Sequence, residues 1–94
     1  MEVRIVVHEP ENWKDENIFG RIIFERNGNR IIVKMVKPIK GKSIESNLIE
    51  LEPQNENETF KGLHQYYSVM VKGNLIDENK NISEYIISGS ITFI

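Results

Sequence analysis

The 94-residue chain has no cysteine. That excludes disulfides, thiolate nucleophiles and cysteine-ligated metal sites. It has no alanine, and its 4 leucines stand against 15 isoleucines and 7 valines. A helical bundle normally draws on alanine and leucine, whereas β-branched residues suit a pleated surface, so strands are expected. There is no apolar run near the ~18 residues that a membrane helix needs. The opening Met-Glu-Val-Arg-Ile-Val-Val is not a basic leader followed by an apolar stretch, so no signal peptide is expected. The expected location is therefore cytoplasmic. Asn57-Glu58-Thr59 and Asn81-Ile82-Ser83 fit the glycosylation pattern, but without a secretory signal they are expected to stay unmodified.

Chemistry-bearing patterns are scarce as well. The only histidines are His8 and His64, and His8-Glu9 is not followed by a second histidine at helical spacing. No metal site is expected. No serine sits in a Gly-x-Ser-x-Gly elbow, and Ser88-Gly89-Ser90 falls inside a strand pattern. Neither a Walker pattern nor Gly-x-Gly-x-x-Gly occurs, so no nucleotide cofactor is implied. The carboxylates of residues 45–58 read as a solvated acidic surface rather than a catalytic pair.

What remains is enough to fold. Ile, Val, Leu and Phe make up about a third of the chain, well above the ~20% below which disorder is the default. The length suits one domain spanning 1–94. Alternation places Val3, Ile5 and Val7 on one face of a first strand. The charged stretch from Glu9 to Asn17, with Pro10 and Trp13, is expected to be a loop or a single helical turn. Ile18 to Arg26 and Asn29 to Lys37 read as two strands joined at Asn27-Gly28, a strong hairpin signal. A two-residue loop would set Glu25 opposite Arg30 and Phe24 opposite Ile31. Ile22, Phe24, Ile31, Val33 and Met35 would then share a face. Pro38-Ile39-Lys40-Gly41 breaks the pattern. Ser43 to Glu52 is a further strand, closed by Pro53. A short turn is expected near 59–64. His64 to Ile76 and Ile82 to Ile94 complete the set, with a bulge or bend at Gly73. Tyr85, Ile87, Ile91 and Phe93 would point one way along the last strand.

Six consecutive strands with short connections predict an all-β, antiparallel meander, closing as a barrel or folding as a two-layer sandwich. Gly20, Gly73 and Gly89 inside strand patterns favour the curvature of a barrel. A barrel of six strands should fill with side chains rather than enclose a ligand.

The charge is uneven. Lys and Arg number 12 against 14 Asp and Glu, for a net charge of −2. A generic polyanion binder is normally basic. Yet residues 21–42 carry seven cations and one carboxylate, while all five charges of residues 43–60 are glutamates. Cross-strand pairing of these charges is one reading. A basic contact surface for an acidic partner is the other. The candidate binding residues are Arg30, Lys34, Lys37, Lys40, Lys42, Tyr66 and Lys72. Trp13, Phe19 and Tyr67 are expected in the core, with stacking on a ligand as their alternative role. The functional expectation is a small non-enzymatic binding module that contacts a protein partner or itself. A single-stranded nucleic-acid binder and an enzyme with an unmarked site are the alternatives.

Overall fold

The computed structural model describes residues 1–26, 29–55, 60, 68–79 and 81–94. Six strands follow one another: β1 (Glu2–Glu9), β2 (Asn17–Arg26), β3 (Arg30–Lys40), β4 (Glu45–Pro53), β5 (Ser68–Ile76) and β6 (Ser83–Phe93). A single 3-10 turn, Glu11–Trp13, sits between β1 and β2. It follows a cis Glu9–Pro10 bond. Each strand pairs antiparallel with the next, and β6 returns to β1, which closes the barrel. The meander expected from the alternation is therefore a closed barrel and not a sandwich.

Closure places one face of every strand inside. Val3, Ile5 and Val7 meet Ile31, Val33, Ile49, Leu51, Val69, Val71, Leu75, Ile87, Ile91 and Phe93 in one buried cluster. Buried Phe60 meets Phe93 edge-on, with ring centroids 6.4 Å apart. Two glycines allow the walls to approach. A Cβ at Gly89 would run into the Val6 carbonyl, and one at Gly20 would lie 2.7 Å from Val33 Cγ1. Only the absent side chain permits those contacts.

Bulges correct several expectations. The β2–β3 ladder pairs Arg26 with Arg30 and Glu25 with Ile31, not Glu25 with Arg30. The loop is thus one residue longer than expected; Asn27 and Gly28 themselves lie outside the described residues. Further along, Ile22 pairs with Val33 but Phe24 pairs with Ile32, so Ile23 is an extra residue. A bulge reverses the inside–outside alternation. Phe24 consequently turns outward and is exposed, against the expectation that it shares the inner face with Ile22. The same happens on β6. Gly73 pairs with Ile87 and Asn74 with Tyr85, leaving Ile86 extra. Tyr85 is exposed while Ile86 packs on the core.

Pro38 does not end β3, contrary to the sequence expectation. The strand continues to Lys40, and Ile39 and Lys40 pair with Ser46 and Glu45. Pro38 is tolerated because it falls where β3 makes no ladder contact: the register runs from Lys34↔Leu48 straight to Ile39↔Ser46. A proline without an N–H fits such an unpaired stretch. The expected turn near 59–64 and the start of the fifth strand at His64 to Tyr67 fall outside the described residues, apart from Phe60.

Candidate functional site

The irregular stretch of β3 opens the barrel wall. Four residues of β3, Met35 to Pro38, stand opposite the single Asn47 of β4. The β2–β3 ladder stops at the same place, at Gly20↔Met35. Asn17, Ile18 and Phe19 keep their β1 partners but have none on β3. Val36, Lys37 and Pro38 have no ladder partner on β2 or β4.

A cleft of about 570 Å³ fills this opening. Trp13, Ile18 and Ile39 form its apolar floor, since all three also pack on the core. Lys37, Lys40 and Glu16 stand exposed around it. A second cleft of about 380 Å³ adjoins it, with Arg21, Lys34 and Glu2 among its lining residues. Phe19 and Val36 border both clefts. They are 50% and 74% exposed, so the two hollows form one surface around an uncovered apolar ridge. Across this surface four cations face two carboxylates.

The candidate residues separate by position. Lys37 and Lys40 line the first cleft, and Lys34 lines the second. Arg30 lies at the far end of β3. Its guanidinium stands 3.6 Å from Glu50 and 3.8 Å from Glu52 on β4, so its charge is shared across the strands. Lys42 occupies the turn after β3. Its backbone N–H donates to the Glu84 carboxylate at 2.6 Å, beside the Ser43 N–H at 3.1 and 3.3 Å. The Ser43 hydrogen bond foremost holds the Glu84 carboxyl below its ordinary value, against the opposing effect of desolvation. Lys72 is exposed on β5, which stands across the ring from β2. Ser68 and Met70 share its outward face. Tyr66 and Tyr67 lie outside the described residues.

Two of the aromatic residues behave differently from expectation. Trp13 is half-buried against the core, yet it borders the cleft. Phe19 is not in the core at all. Its signal was present in the alternation, because Ile18 and Ile22 on the inner face require Phe19 to face out. Val36 was legible in the same way beside Met35. The opening itself left no such signal.

Among the described residues, no group of three or more His, Asp or Glu side chains converges as a metal site. Nor is any helix among them long and apolar enough to cross a membrane. Comparison with family models, curated proteins and solved structures finds no match for this chain.

Proposed function

We propose that the protein is a binding module that contacts a protein partner through the open β2–β3 seam. One observation carries this reading: Phe19 and Val36 stand exposed beside a cleft where β2 and β3 lack ladder partners. Exposed apolar groups clustered at a hollow with polar surroundings are a common mark of a contact site. Unpaired strand backbone adds hydrogen-bonding capacity that a partner can complete.

A photo-cross-linking residue introduced at Phe19 tests the proposal in cells of the native source. Covalent adducts are expected from Phe19 and not from the same residue at Tyr85, which is exposed on β6. Adducts from Phe19 should also disappear when Val36 is changed to Asp. An adduct of twice the chain mass would identify the partner as a second copy. Absence of adducts at Phe19, or the same adducts from both positions, removes the seam as the contact surface.

A further inference from the structure

The chemistry of the seam defines its partner more narrowly, provided the binding-module reading above holds. We infer that the seam receives an acidic, extended peptide segment. Three features converge on that occupant. The first is backbone: Val36 to Pro38 have no ladder partner on β2 or β4, and Asn17 to Phe19 have none on β3. An added strand completes such edges with main-chain hydrogen bonds, while pockets take alternate side chains. The second is shape. The hollow between Trp13 and Phe19 has an apolar floor and suits an aliphatic side chain of the incoming strand. The third is charge. Lys37 and Lys40 stand at this cleft and Lys34 at the next, so carboxylates flanking the buried side chain meet cations in both directions.

A single-stranded nucleic acid fits less well. Stacking platforms present successive exposed aromatics along a basic track. Here Trp13 is half-buried against the core, which leaves Phe19 as the exposed ring of the pair.

The single tryptophan of the chain lies at the cleft and reports on it directly. The probe is the capped hexapeptide Asp-Glu-Val-Leu-Asp-Glu, titrated into the full chain at low and moderate salt. A saturable shift of Trp13 emission is expected, weakening as salt rises. Lys37→Glu with Lys40→Glu should weaken binding about tenfold or more. Arg26→Glu, at the other end of β2, should leave it unchanged. The Lys-flanked counterpart peptide and a thymidine hexanucleotide should bind at least tenfold more weakly.

Equal binding of the basic peptide, tighter binding of the oligonucleotide, or no Trp13 response overturns the inference. So does an emission shift that follows protein concentration alone, which would place a second copy in the groove. If Phe19 still yields partner adducts in cells when the acidic peptide fails, the binding-module reading stands and only the acidic occupant falls. Loss of both removes both.

Discussion

At the scale of single residues, the structure ties two side groups to stability in opposite ways. Glu84 gains from ionisation, because its carboxylate accepts the backbone N–H groups of Lys42 and Ser43. Its folded pKa lies below its ordinary value of 4.5. A depressed folded pKa means that its stabilisation is fully present above 4.5 and is lost as pH falls through the folded value. The amide resonances of Lys42 and Ser43 should therefore move together in an NMR titration below pH 4.5. Glu84→Gln should abolish that joint movement. If the two amides titrate unchanged in the variant, the contact is not what holds the turn. Gly89 works through what it lacks. Gly89→Ala would press a methyl group on the Val6 carbonyl and Val7 Cα. Overpacking of this kind costs about 1–3 kcal/mol, which urea denaturation would register. Arg30 is a counterexample of small consequence. Its contacts with Glu50 and Glu52 are long and half-exposed, so Arg30→Ala should shift stability by less than ~1 kcal/mol.

At the scale of elements, bulges decide which side chains a partner can see. Ile23 on β2 and Ile86 on β6 each add one residue to a ladder. Each reverses the alternation beyond it, and Phe24 and Tyr85 emerge as exposed aromatic residues. Within the larger excess on β3, Lys37 has no ladder partner on β2 or β4, whereas Lys40 is paired with Glu45 of β4. Both lysines are exposed. Lys37→Glu should accordingly leave stability within ~0.5 kcal/mol of the parent, measured by thermal or urea unfolding, whereas Lys40→Glu sets a second carboxylate opposite Glu45 and should cost up to about 1 kcal/mol. A larger loss would mean that these charges support the barrel rather than face a partner. Lys42 is best left unaltered in that test, because its charge lies beside Glu84.

At the scale of the whole molecule, β6 holds the barrel shut. It pairs with β5 on one side and β1 on the other. Ile91 and Phe93 are fully buried, and the Ile94 N–H donates to the Glu2 carbonyl at 2.9 Å. Deleting Ile91 to Ile94 removes two core side chains and one end of the closing ladder. Loss of buried apolar side chains costs about 2–5 kcal/mol each, against a total stability of about 5–15 kcal/mol for a domain of ordinary size. The truncated chain should lose its cooperative urea transition and its dispersed NMR spectrum. A truncated protein that keeps both would show that closure by β6 is dispensable. Closure sets the Ser68–Lys72 face of β5 across the ring from Phe19 on β2, while Lys72 is separated from Arg30 only by Glu52 of β4, which pairs with Lys72 and stands 3.8 Å from Arg30.

The sequence by itself marked the strands and most of the inner face, with an antiparallel meander as their simplest arrangement. Val3, Ile5, Val7, Ile49, Leu51, Val69 and Val71 alternate with mostly polar neighbours, and period-2 patterning needs only local backbone geometry to be read. It also marked Lys37 and Lys40 within a basic segment, because charge balance is a property of composition. The tertiary structure alone decided the register and therefore the seam. An extra residue in a ladder is defined by two strands together; Gly73 marked one irregularity beforehand, but there the extra residue, Ile86, belongs to the partner strand. Met35 to Pro38 become an excess only opposite Asn47. Phe19 meets those lysines because the antiparallel β2–β3 hairpin sets the start of β2 beside the end of β3, and the 3-10 turn before β2 brings Trp13 to the same cleft.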